Sequence, residues 1–242
     1  MTELRVNPLH LLQPRVTPLY APEVAALAKD AFSLQTIYAD QHLLVFNKPA
    51  GLLSVPGRGA DKQDCLSLRA QHHYPDALVV HRLDMSTSGL MLLARGAAMQ
   101  TALSKLFAMR QIFKSYTAVV NGQLRVASDW QLIDLPIALD WPNRPLRIIS
   151  PTTGKPSQTR WRAVSNDIAA DTTRVELQPL TGRSHQLRVH LLALGYPILG
   201  DALYAPASVQ AKSARLLLHA SQLRFAHPAN GKEMAFSSNP VF

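Results

Sequence analysis

The chain has 242 residues, 47% hydrophobic and 17% charged, enough apolar content for a full core and too much for a disordered or low-complexity segment. No apolar run approaches the roughly 18 residues that cross a bilayer. Pro8, Pro14, Pro18, Glu3 and Arg5 interrupt any leader-like stretch, and the lone Cys65 excludes an internal disulfide or a Cys-rich zinc site, so a globular cytoplasmic protein free of membranes is expected.

Charge narrows the class of partner. Lys and Arg total 25 against 16 Asp and Glu, a net charge of +9, and 17 of the 25 are Arg. A planar guanidinium matches phosphates and stacks on bases, which favours a nucleic-acid partner over mere solubility. Between positions 141 and 190, eight basic residues stand against three acids, which predicts a basic face.

Residues 1–33 read as a Pro-spaced N-terminal extension, with a short helix over Pro22–Phe32. From Leu34 the pattern changes. Ile37–Phe46 is strand-rich and ends in a turn at Asn47–Gly51; Val55–Asp64 is a loop and Ser67–His73 a short helix. Two β runs, Ala77–His81 and Leu90–Ala94, flank a polar loop from Arg82 to Gly89. Ala97–Arg110 carries Leu103, Leu106 and Phe107 at helical spacing, and Ile112–Val120, Gln158–Val164 and Thr173–Leu177 alternate as strands. Ser184 is the expected N-cap of a helix running to Gly195, with Leu187, Leu191 and Leu194 as its buried stripe. Asn230-Gly231 marks a hairpin between Leu223–Phe225 and Met234–Phe236. Hairpins outnumber strand–helix alternations, so the class is α+β with a mixed, mostly antiparallel sheet flanked by helices and loops.

Asp84 is the only acid between Ala77 and Ser128, a window that also holds Arg82, Arg95, Lys105, Arg110, Lys114 and Arg125. A carboxylate on a loop between two apolar strands, beside an arginine, is placed to stay ionised and act as nucleophile or base. On spacing alone a structural salt bridge, or bonding within the Ser86-Thr87-Ser88 loop, is the commoner outcome. Arg183 enters the helix whose free amides favour an anion, and Tyr116 on its strand is either ordinary sheet surface or a flat face for a flipped base. His185 and His190, five apart, are poorly spaced as ligands on one helix face, and some of these histidines are expected simply to satisfy local hydrogen bonds. No GxSxG elbow, dinucleotide fingerprint or phosphate-binding GxxxxGK[ST] loop is present.

His81-Arg82-Leu83-Asp84-Met85-Ser86-Thr87-Ser88-Gly89-Leu90 resembles the HRLDxxTSGL signature of the RluA family of pseudouridine synthases. Three further segments resemble family motifs in the same order: Asn47-Lys48-Pro49-Ala50-Gly51-Leu52, Lys114-Ser115-Tyr116-Thr117-Ala118, and Thr181 to His190 followed by Gly200-Asp201 and Tyr204. Asp140-Trp141-Pro142-Asn143-Arg144-Pro145 and Thr153-Gly154-Lys155-Pro156 are similar to a dual-specificity member acting on tRNA and 23S rRNA. The resemblance implies a pseudouridine-synthase catalytic domain over residues 34–242, without an S4 domain, that isomerises uridine in an anticodon stem-loop and a 23S hairpin loop. It implies no cofactor and no metal, and a monomer is expected. Asp84 is the implied catalytic residue. Arg183 is implied to pair with it, Tyr116 to stack on the uracil, Arg82 to fill the stack vacated by the flipped nucleotide, and Leu187 to support the site. A catalytically idle RNA-binding protein and a single-substrate synthase are the rival readings.

Overall fold

In the computed structural model, which describes residues 34–242, the alternating apolar positions build one ten-stranded mixed sheet. Its strands are β1 (Gln35–Ala39), β2 (Leu43–Lys48), β3 (Ala77–Val79), β4 (Ser88–Arg95), β5 (Phe113–Asn121), β6 (Gln131–Asp134), β9 (Gln158–Asp167), β10 (Thr172–Pro179), β11 (Leu218–Ala226) and β12 (Glu233–Ser237). The path runs β1-β2-β4-β11-β5-β10-β9-β6, with β3 on β4 and β12 on β11. Every pairing is antiparallel except β4 with β11. A separate hairpin pairs β7 (Ile137–Leu139) with β8 (Arg147–Ile149). The α+β class and the mixed, mainly antiparallel sheet agree with the sequence, as does the hairpin of β11 and β12 in which Phe225 opposes Met234.

Helices α1 (Leu66–His73) and α2 (Ala97–Ala108) cover opposite faces of β2 and β4. Leu43, Val45, Leu90 and Leu92 pack with Met99 and Leu103 of α2, whereas Leu44, Phe46, Met91 and Leu93 pack with Leu66 and Ala70 of α1. Burial on both faces is why Leu90–Ala94 reads as an unbroken apolar run rather than an alternation. Helix α3 (Gln186–Ala193) lays Leu187 and Leu191 on Ala118, Val120, Val175 and Leu177 of β5 and β10. The short α4 (Ala207–Gln210) follows.

Several local expectations shift. Asn47 and Lys48 belong to β2, so the turn begins only at Pro49. Ser184 is not the N-cap: His185 precedes α3 in a left-handed conformation (φ 59°), and no side chain caps the helix. Gln186 organises that turn instead. Its Oε1 accepts from Thr181 Oγ1 at 2.7 Å and from the Arg183 N–H at 3.0 Å, and its Nε2 donates to the Gln158 carbonyl at 2.9 Å. Within the expected loop Val55–Asp64 lies a single 3-10 turn, Ala60–Lys62, and strands β6, β7 and β8 had no expectation attached, being too short for periodicity to register. The helix expected over Pro22–Phe32, with the rest of the extension, lies outside the described residues.

The sheet register positions the site. Gly89 of β4 lies opposite Ala220 of β11, and Ala220 lies opposite Tyr116 of β5, so the loop ending at β4 meets Tyr116 across three strands. A side chain at Gly89 (φ 111°) would overlap the Ala220 backbone, so only glycine lets β4 and β11 approach this closely.

Candidate active site

A cleft of about 570 Å³ opens beside that register, and Arg82, Asp84, Tyr116, Arg183 and Leu187 all line it. The fold therefore brings five positions from three separate segments of the chain to one place. Among the described residues Asp84 is the sole carboxylate in the wall, which also holds Arg82, Arg110, Lys114, Arg183 and Arg188.

The loop that carries Asp84 is suspended from β2 and the turn after it. Buried Lys48 donates through Nζ to the carbonyls of Pro49 (3.0 Å), Leu52 (2.7 Å) and Met85 (3.0 Å). Gly51 N–H reaches the same Met85 carbonyl at 2.8 Å, and Ser54 Oγ both donates to the Leu83 carbonyl (2.7 Å) and accepts the Leu83 N–H (3.0 Å). The residues on both sides of Asp84 are thus fixed while its carboxyl remains about a quarter exposed (24%). Burial drives the Lys48 pKa down to about 7, with Asp84 pulling it up and Arg215 pushing it down.

The opposite wall supplies the counter-charge, and here the structure corrects the sequence. Asp84 does not pair with Arg183: its Oδ2 lies 3.3 Å from Nη1 of Arg188. Arg183 is exposed at the cleft and directs Nε and Nη2 toward the Pro156 carbonyl at 3.4 Å. The physical reason is the α3 entry, where the left-handed His185 and the Gln186 bonds turn Arg183 outward, while Arg188, one helical turn on, is buried (4% exposed) beneath Asp84. Arg188 also grips buried Asp201 in a fork, Nε to Oδ2 at 2.8 Å and Nη2 to Oδ1 at 2.6 Å. Burial alone would weaken its charge, but the Asp201 bond, then the charges of Asp201 and Asp84, outweigh it and raise its pKa.

Tyr116 is partly buried, its phenol pushed up by burial and by Asp84, so it presents a flat ring and a protonated hydroxyl. Arg82 is exposed on the Asp84 loop and forms no hydrogen bond or ion pair with the described residues. At the base of the loop His81 accepts the Leu92 N–H at 2.9 Å and stacks on Phe107 at 4.7 Å; burial, then Lys114, pushes its pKa down to about 3, so it stays neutral. Leu187 is 6% exposed and belongs to the α3 core.

The histidine expectation divides. His190 is structural, bonded to Thr159 Oγ1 (2.9 Å) and the Leu135 carbonyl (3.0 Å), whereas His185 lines the cleft with Nε2 3.9 Å from Asp84 Oδ1. The basic band at 141–190 is not one face. Arg162 pairs with Glu176, Arg174 bonds the Phe242 carbonyl, and only Arg183 and Arg188 of the band line the cleft. Lys48, Arg188, Asp201 and Tyr204 fall within the quoted motifs, yet nothing in their spacing set them apart from the neighbours that do no such work. Among the described residues no three His, Cys, Asp or Glu side chains converge as a metal site requires, and no helix is long and apolar enough to cross a membrane.

The sequence model for RNA pseudouridylate synthase matches residues 42–193. The chain is 50% identical over 210 residues to the dual-specificity RNA pseudouridine synthase RluA of Escherichia coli (strain K12), covering 86% of this chain and 94% of that one. It is 48% identical over 206 residues to the RluA of Yersinia pestis, covering 85% and 98%. Among solved structures, human RNA pseudouridylate synthase domain containing 1 superposes with a TM-score of 0.72 at 29% identity, over 87% of this chain and 84% of that one. Human RNA pseudouridylate synthase domain containing 4 gives 0.65 at 29% identity, over 85% and 88%.

Proposed function

The chain belongs to the RNA pseudouridylate synthase family and is a pseudouridine synthase acting on RNA, and from that premise we propose that Asp84 carries the reaction in this cleft, on a tRNA anticodon stem-loop and a 23S rRNA hairpin loop. The observation that carries the reading is the position of Asp84, one carboxylate on a fixed loop among five cations. The dual substrate rests on the likeness to the dual-specificity relatives.

The reaction breaks the N1–C1′ bond of uridine, turns the base, and joins C5 to C1′; the C5 hydrogen leaves as a proton and N1 gains one. Asp84 either attacks the sugar or takes the 2′ proton, and both routes need an ionised oxygen. Arg188 holds and aims that oxygen, and cannot itself be drawn away because Asp201 holds its other edge. Tyr116 offers its ring to the extruded uracil, Leu187 backs it, and Arg82 enters the stack that the base leaves. Flipping costs a few kcal/mol and is cheapest in a loop already unstacked. Arg183, Arg110 and Lys114 line the cleft for phosphates, which makes affinity fall steeply with salt. Residues 34–242 form the catalytic domain; a single chain supplies every residue named, which suits a monomer working in the cytoplasm where these RNAs are found.

The test is tritium release from C5-labelled uridine in each stem-loop, with Asp84→Asn beside the wild type. Release from both RNAs by the wild type, with at least about a thousandfold loss in the variant, supports the reading. Release from one RNA alone makes the protein a single-substrate synthase. Equal release by Asp84→Asn removes Asp84 from the chemistry.

A further inference from the structure

A short chain of hydrogen bonds, Arg147 to Tyr204 to His185, stops 3.9 Å from Asp84 on the side that Arg188 leaves open. The Tyr204 hydroxyl oxygen accepts the Arg147 backbone N–H at 2.9 Å and lies 2.6 Å from His185 Nδ1. The Arg147 N–H occupies one lone pair of the Tyr204 oxygen and leaves the phenol's own proton free for Nδ1. In that arrangement Nδ1 is an acceptor, and neutral His185 carries its hydrogen on Nε2. That nitrogen faces Asp84 Oδ1 at 3.9 Å, while Oδ2 belongs to Arg188 at 3.3 Å.

The surroundings disfavour the charged imidazole. Burial lowers its pKa, Asp84 opposes that, Arg188 and Arg147 add to it, and Asp201 opposes it weakly. Its backbone sits at φ 59°, a left-handed conformation that non-glycine residues rarely adopt. Strain of this kind persists where the surroundings demand a particular side-chain placement.

We propose that His185 is a positioning residue of the isomerisation: as the Nε2–H tautomer fixed by Tyr204, it donates to Asp84 Oδ1 when bound RNA closes the cleft. The role rests on Asp84 being the catalytic group. Each carboxylate oxygen then has its own donor, one charged and one neutral, and the remaining lone pairs point at the ribose. Contraction by about 1 Å brings the pair into hydrogen-bond range, and such bonds commonly tighten only in the substrate complex. Tyr204 acts one step further back, through the tautomer.

Long-range nitrogen–proton spectra of histidine-labelled full-length protein read the tautomer directly. The wild type is expected to show His185 with bare Nδ1 and protonated Nε2, and Tyr204→Phe a mixture of both forms. Asparagine tolerates the left-handed backbone but is too short to reach Asp84. His185→Asn should therefore lower kcat in tritium release about 10–100-fold while KM stays within about threefold and Tm is unchanged. Tyr204→Phe should lower kcat about 3–10-fold, in step with the loss of the Nε2–H form. A wild-type spectrum with the proton on Nδ1 overturns the proposal, as does wild-type turnover by His185→Asn. Full turnover by Asp84→Asn would instead overturn the catalytic reading, leaving the tautomer measurement to stand by itself.

Discussion

On one side of the cleft the Asp84 loop hangs from Lys48 and Ser54, through bonds that end on the carbonyls of Leu83 and Met85. On the other, Arg188 reaches Asp84 from a buried fork on Asp201. The first side fixes backbone and leaves the carboxyl free to turn. The second fixes charge, and can do so only because a second buried carboxylate compensates the guanidinium. A substitution should therefore be felt chiefly in stability and loop geometry on the Lys48 side, and in stability and chemistry together on the Arg188 side.

The strongest way to break this contrast is Arg188→Met, which strands Asp201 in the core. It should cost about 3–5 kcal/mol in urea unfolding and abolish tritium release. Adding Asp201→Leu should return part of the stability, since the buried pair is exchanged for apolar side chains while the Leu203 and Tyr204 N–H groups lose their acceptor, yet restore no activity. Recovery of activity in the double variant would show that Arg188 serves the fold alone.

Lys48→Met should cost less, about 2–4 kcal/mol, because three carbonyls lose a donor. Its pH signature sharpens the comparison. Lys48 titrates at about 7 when folded and at 10.5 when unfolded, so between those values the unfolded chain binds the extra proton and wild-type stability gains with rising pH. The difference between wild type and Lys48→Met should widen by up to about 1.4 kcal/mol per pH unit from pH 7 to 9. A constant difference would mean that Lys48 keeps its ordinary basicity in the fold.

The smallest effect is expected outside the cleft. Arg162 and Glu176 are separated by 2.6 Å but remain solvated, so Arg162→Ala should change urea stability by less than about 1 kcal/mol. A larger loss would show that proximity to Trp130, whose ring lies 4.8 Å below the guanidinium, matters more than the ion pair.

Legibility differed between fold and site for a physical reason. The strands from β2 to β5 and the final hairpin were readable because each carries its own pattern, an apolar run, an alternation or an Asn-Gly turn. Strands β6 to β8, only three or four residues long, carry no such pattern, and the N-cap of α3 was misplaced because Gln186, not Ser184, takes the loop amide. Asp84 was legible as a lone acid in a basic stretch, but its partner was not: Arg183 and Arg188 are equally plausible by sequence, five residues apart. Only the left-handed turn at His185 and the burial of Asp201 select Arg188.

Sequence alone set the longer elements and the ordered motifs, because hydrophobic period and residue type are local properties of a chain. Which charges meet was settled by the fold. The parallel pairing of β4 with β11, permitted by Gly89, joins residues 84, 116 and 188 that are far apart along the chain. Whether an arginine there holds a carboxylate or faces solvent depends on burial and direction, and neither is written into any one segment.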